Sequence, residues 1–227
     1  MPDIENHKRV HDMILGPLER PTLQFFASKM PAWVTPDILL GFGLFGSLLI
    51  IIGYLLTNFN SAFLWLASLG FVINWFGDSL DGTLARYRKI ERPKYGFFVD
   101  HTADSLSMVM VFVGLGLSAY VRLDIAALAC IGYLLMSILT YIGAFVSGEF
   151  RISYAKIGPT EMRLMAIIVN ILLFFFGNPQ LRLTSEFSIS AADVAFLFIA
   201  IALFITFIIA TLREASRWSE LDPGIPK

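Results

Sequence analysis

Six apolar runs, at about 38–57, 61–86, 95–121, 124–147, 161–177 and 190–212, decide most of what this chain can fold into. Each is near the roughly 20 residues that an α-helix needs to cross a hydrocarbon core. Inside lipid every backbone N–H and C=O must find a partner within the structure, so runs of this length become helices rather than open strands. The expected fold class is therefore all-α: a polytopic membrane protein with six transmembrane helices in one bundle. Composition agrees, since 56% of the residues are apolar and only 15% are charged, against about 25% charged in a soluble domain. No basic start with a short apolar core and a small-residue cleavage site precedes the first run, so no cleaved signal peptide is expected. The lone Cys130 leaves no disulfide framework and no cysteine-based metal cluster to consider.

Charge sets the expected orientation. Alternating the 17 lysines and arginines across six spans leaves only Arg122 and Arg182 on one side and gathers all the others on the opposite side. By the positive-inside rule both termini and the loops near 87–95 and 148–160 then face the cytosol. Three segments are expected: a cytosolic or interfacial stretch at 1–35, the transmembrane domain at 36–217 and a cytosolic tail at 218–227. Within the first, Ile4, Val10, Met13 and Ile14 fall at helical spacing with Lys8 and Arg9 elsewhere on the circumference. That pattern predicts a short amphipathic helix over 4–15 on the membrane surface. Pro17 and Pro21 are expected to interrupt any helix after it.

The stretch GDSLDGTLARYRKIERPKYGFFVDHTADS, residues 77–105, places Asp78, Asp81, Asp100 and Asp104 in this apolar setting. Asp78 and Asp81 are spaced i, i+3 and Asp100 and Asp104 i, i+4, so each pair shares a helical face. The two faces belong to a hairpin that turns at RYRKIERPK, 86–94. At 1.5 Å per residue Asp78 and Asp104 lie at matching depth. Four converging carboxylates repel one another and resist leaving water. Only Arg86 and His101 on these two helices offer compensation, which is too little for four anions. Two divalent cations would balance the charge, and oxygen-only donors favour Mg²⁺ or Mn²⁺, with Ca²⁺ as a further occupant. Gly82 and Ala85 open a slot beside the carboxylates, Arg86 brings a guanidinium fork suited to phosphate, and Gly96 permits close approach at the hairpin mouth. His101 is turned away from the aspartate face and reads as a packing residue.

The string D-S-L-D-G-T-L-A-R, a nine-residue spacer and G-F-F-V-D-H-T-A-D resemble the signature of the CDP-alcohol phosphotransferases, integral membrane enzymes of phospholipid synthesis. The resemblance implies transfer of a substituted phosphate group from a CDP-linked donor to an alcohol, with release of CMP. It implies that Asp78, Asp81, Asp100 and Asp104 coordinate two divalent ions, and that Gly82, Ala85, Arg86 and Gly96 accommodate the cytidine diphosphate. Asp104 would also take the acceptor's proton, and a homodimer is expected. No nucleic-acid partner is expected.

Donor and acceptor should be decided in GEFRISYAKIGPTEMR, 148–163, where Arg151, Lys156 and Arg163 are candidates for holding a phosphorylated acceptor and equally serve as topology signals. The GPTE at 158–161 and the VDHTADS at 99–105 are similar to choline and ethanolamine phosphotransferases. They favour a CDP-choline or CDP-ethanolamine donor with a diacylglycerol acceptor. The alternative is a CDP-diacylglycerol donor with a small polar alcohol such as serine, glycerol phosphate or inositol phosphate. Thr160 is also placed to cap the helix that follows, with Glu161 in its first turn. A divalent cation channel or transporter would equally explain intramembrane carboxylates, but it wants polar residues continuing across the spans, and few are there.

Overall fold

The computed structural model describes residues 14–147, 158–182 and 188–222. The elements are α1 (Gly16–Lys29), α2 (Pro36–Leu56), α3 (Phe63–Arg88), α4 (Pro93–Gly116), α5 (Leu123–Ser147), α6 (Pro159–Phe176), β1 (Gln180–Arg182), β2 (Ser188–Ser190) and α7 (Ala191–Leu221). The helices α2 to α7 are the six long and apolar enough to cross a membrane, and they coincide with the six apolar runs. The expected all-α bundle is the observed one. The described residues also include an antiparallel pair, β1–β2, between α6 and α7, in which Leu181 faces Ile189.

Helix starts follow local chemistry. Pro36 opens α2 with Thr35 as its cap, whose hydroxyl accepts from the Ile38 N–H at 3.2 Å. Ser190 and Asp193 cap α7 reciprocally. That helix runs on to Leu221, past residue 217, with Arg217 pairing Glu214 one turn back.

The centre of the bundle is α2 against α3, its closest-packed pair. Small residues make this possible: a Cβ built on Gly46 would collide with the backbone of Asn74, and one on Gly77 with the backbone of Gly43. Close backbone approach of this kind is how helices associate in lipid, where apolar burial alone supplies no drive. α4 packs on α2 and α5, α6 on α3, and α7 on α5. One buried cluster, with Ile50, Tyr54, Leu64 and Phe71, fills the half of the bundle away from the α3–α4 turn. A second, with Leu23, Ala27, Val34, Leu39, Leu80 and Leu84, seats α1 near that turn.

One expectation is corrected at α1, and one is left outside the described residues. The amphipathic helix expected over 4–15 lies almost entirely outside the described residues, while a helix does form over Gly16–Lys29 despite its two prolines. Pro17 sits in the first turn, where its missing N–H would have had no partner. Pro21 follows one turn later on the exposed face, so only one internal hydrogen bond is forfeited. Leu23 and Ala27 bury the opposite face against α3. Arg88, at the end of α3, fastens the α1–α2 connection by donating to the carbonyls of Met30, Pro31 and Val34.

Candidate metal centre

The carboxylates of Asp78 on α3 and of Asp100 and Asp104 on α4 converge, each offering an oxygen within 4.8 Å of the others. Among the described residues α3 and α4 each pack chiefly on α2, which brings the two acidic faces together. The space between them is floored by α2, where Leu40, Gly43 and Leu44 meet Asn74, Asp78 and Asp104. The glycines at the α2–α3 crossing therefore set the site's geometry, since they let α3 sink close enough to α2 to bring Asp78 level with Asp104.

Asp81 stands outside this trio. One oxygen of its carboxylate accepts from the backbone N–H of Gly82, although its charge lies within electrostatic reach of Asp100 and Asp78. Arg86 folds back along α3: its Nη2 donates to Thr83 Oγ1 at 3.2 Å, and its Nη1 would lie 3.3 Å from a Cβ at Gly82. The slot expected beside Gly82 thus has the Arg86 guanidinium at its edge. Ala85 is half-buried next to it. Gly96 has open space where its Cβ would be.

A counter-cation that α3 and α4 themselves do not supply comes from α6. Arg163 reaches in from it with a side chain 5% exposed, and its Nη2 donates to Asp78 Oδ2 at 2.7 Å. Its Nε donates to Asn74 Oδ1, also at 2.7 Å. Arg163, expected as a candidate for an acceptor phosphate, is thus bonded into the aspartate centre. Arg151 and Lys156 lie outside the described residues.

Among the described residues three carboxylates crowd one poorly solvated place, and the Arg163 guanidinium bonds to Asp78. The donor set consists only of carboxylate oxygens, and their spread is no more than about twice the ~2.3–2.6 Å at which Ca²⁺ binds oxygen. These residues fit a hard divalent cation, and the cluster is able to bind one.

His101 behaves as a packing residue. Its ring lies edge-on to Phe97 with centroids 4.3 Å apart and tilts against Tyr141 at 5.2 Å. Its Nδ1 is 3.9 Å from Asp100 Oδ2. On this side α4 and α5 border an open groove of about 520 Å³, lined by Lys94, Phe97, Phe98, His101 and Tyr141 among others.

The GPTE segment has structural duties. Gly158, rather than Thr160, occupies the cap position of α6. Glu161 accepts from the Gly158 N–H at 3.0 Å and from the Leu15 N–H at 2.9 Å, so one carboxylate closes the ends of both α6 and α1. Thr160 donates to Glu19 Oε1 at 2.7 Å, and the Trp75 indole donates to the same oxygen at 2.8 Å. Together these bonds fix α6, and so Arg163, relative to α1 and α3.

A membrane-spanning bundle in which three carboxylates converge, the one such cluster among the described residues, defines a polytopic membrane protein with an acidic centre able to hold a metal ion. Comparison with known sequences makes this specific: residues 33–208 match the family model described as CDP-alcohol phosphatidyltransferase, and the chain belongs to that family. It is also 34% identical over 115 residues to a protein of Pyrococcus horikoshii named archaetidylinositol phosphate synthase, an alignment covering 48% of this chain. The chain spans 60% of that relative's length.

Proposed function

We propose that this protein transfers a substituted phosphate group from a CDP-activated lipid to a small polar alcohol, releasing CMP and leaving a membrane phospholipid. The convergence of Asp78, Asp100 and Asp104 inside the family's motif is the observation that carries this reading. The likeness to a protein named for making archaetidylinositol phosphate supports the CDP-lipid branch over a CDP-choline or CDP-ethanolamine donor with a diacylglycerol acceptor. The preference drawn from GPTE is accordingly withdrawn, because the segment's polar groups are spent on joining α1, α3 and α6.

Asp78, Asp100 and Asp104 would hold one divalent ion, Mg²⁺ or Mn²⁺, and Asp81 turned from Gly82 would share in a second with Asp78 and Asp100. Such ions, when bound, polarise the phosphoryl group and stabilise the departing CMP. Gly82 and Ala85 leave room for the nucleotide against α3, and Gly96 leaves room at the turn. Arg86, one turn from Gly82, is placed to exchange its bond to Thr83 for a donor phosphate oxygen. Asp104 takes the proton of the acceptor hydroxyl as its oxygen forms a bond to phosphorus and the bond to the CMP oxygen breaks. Arg151 and Lys156 remain the candidates for a phosphate on the acceptor. The distribution of Lys and Arg supports a site open to the cytosol, and the family resemblance supports a homodimer.

The test is a panel of CDP-linked donors and alcohol acceptors offered to the purified protein with Mn²⁺, with the lipid product identified by mass spectrometry. A product formed from CDP-diacylglycerol or CDP-archaeol and a polar alcohol supports the proposal. A product formed only from CDP-choline or CDP-ethanolamine and diacylglycerol would refute the assigned branch, and absence of CMP release with every pair would refute the transferase.

A further inference from the structure

We propose that Asn74 is a positioning residue of the metal centre: it seats Arg163 so that the guanidinium steadies one oxygen of Asp78 and leaves the other for a cation. The inference deepens the transferase reading and rests on its metal centre.

Asn74 lies on α3 one turn before Asp78 and is 5% exposed. Its amide has donors on one side and an acceptor on the other, and its surroundings decide which faces where. Nδ2 donates to the Gly43 carbonyl at 3.1 Å and to Ser47 Oγ at 3.0 Å. Ser47 in turn donates to Ser107 Oγ at 2.8 Å, so α2, α3 and α4 all enter one network. The Gly43 carbonyl can only accept and a guanidinium can only donate. A flipped amide would break both contacts, and Oδ1 must therefore face Arg163.

The bond from Arg163 Nε to that oxygen fixes the plane of the guanidinium. Nη2, on the same edge, then meets Asp78 Oδ2. Asn74 and Asp78 are i, i+4 on α3, so one turn of helix presents both acceptors to a single fork. A lysine ammonium lacks the planar edge that serves two acceptors together. The remaining nitrogen, Nη1, is buried and makes no hydrogen bond among the described residues. Such a group is kept in place by the two bonds on its other edge. Outer partners that orient ligating carboxylates are worth about 10–100-fold in metal affinity, and Asn74 stands two bonds from the cation position in this sense.

The experiment is Mn²⁺ binding by electron paramagnetic resonance to the full chain in detergent without substrate, for wild type, Asn74→Leu, Arg163→Lys and the double variant. Each single variant is expected to bind Mn²⁺ about 10-fold more weakly or worse. The double variant should be no weaker than the weaker single, because both break one link. Ser68→Ala, equally buried on α3 but bonded to Asn170, should bind as wild type does. Asn74→Leu with wild-type affinity, losses that multiply in the double variant, or an equal loss in Ser68→Ala would each overturn the proposal. A wild-type protein that binds no Mn²⁺ would overturn the metal centre beneath it, which is a distinguishable result. Should Asn74→Leu fail to fold, Asn74→Ser, too short to reach Arg163, takes its place with the same two outcomes.

Discussion

Arg163 on α6 donates to Asp78 on α3 at 2.7 Å, across 85 positions of sequence, and makes a third helix part of the acidic centre. Removing one partner of a buried ion pair strands the other, at a cost of about 3–5 kcal/mol. Arg163→Met should therefore lower the thermal unfolding temperature in detergent. Added Mn²⁺ or Mg²⁺ should raise the melting temperature of the variant by less than that of the wild type, because the variant binds the ion more weakly. Thermal melts with and without the ions check this, and an unchanged melting temperature would argue against a structural share for the pair.

Asp104 is given two roles, and they separate experimentally. Asp104→Asn should lower turnover by about 10²–10⁴-fold for loss of the base. If its oxygen also binds the cation, Mn²⁺ affinity falls with it. Asp100→Asn should weaken Mn²⁺ binding in either case. Parallel assays of CMP release and Mn²⁺ binding decide between base alone and base with ligand.

The α2–α3 crossing predicts where the fold tolerates no added volume. Gly46→Val and Gly77→Val place methyl groups where backbone already stands, and overpacking of this kind costs about 1–3 kcal/mol or more. Both should reduce the yield of monodisperse protein and, by pushing α3 from α2, weaken Mn²⁺ binding. Gly96→Ala, with open space at its Cβ, should leave the fold unaffected while raising the KM for the CDP-linked donor. Size-exclusion profiles and donor kinetics check the contrast.

Glu161 ties two helix starts together through the Leu15 and Gly158 N–H groups. Glu161→Ala strands both donors, at about 1–3 kcal/mol for each that stays buried. Faster hydrogen exchange at Leu15 and the first turn of α1 is the expected outcome. Exchange as slow as in the wild type would mean that α1 is held by its apolar face alone.

Much of the architecture was legible because lipid leaves a chain few options: six apolar runs had to become six helices. The aspartate pairs were legible for a related reason, since i, i+3 and i, i+4 spacing fixes a face without reference to the rest of the fold. The trio of Asp78, Asp100 and Asp104 follows that spacing, while Asp81, held by its neighbour Gly82, shows that a shared face does not set a side chain's rotamer. Arg163 was visible as a candidate for an acceptor phosphate and as a topology signal, but its bond to Asp78 shows only once α6 is seen against α3. Asn74 offered only its place one turn before Asp78, as a single buried amide acquires its meaning from Gly43, Ser47 and Arg163, which tertiary structure alone brings together. At α1 the prolines misled, because a proline in an opening turn costs little. A search for polar residues one turn from Asp78 on the same face would have found Asn74.

On the proposed mechanism the aspartates of α3 and α4 hold divalent cations, and transfer depends on them. This dependence is tested most directly by CMP release from a CDP-activated lipid and a polar alcohol in proteoliposomes, after chelation and again after Mn²⁺ is restored, for wild type and Asp78→Asn. Release by the wild type should stop on chelation and return with Mn²⁺, and Asp78→Asn should show no recovery. Release that persists through chelation, or that Asp78→Asn sustains at the wild-type rate, would contradict the mechanism.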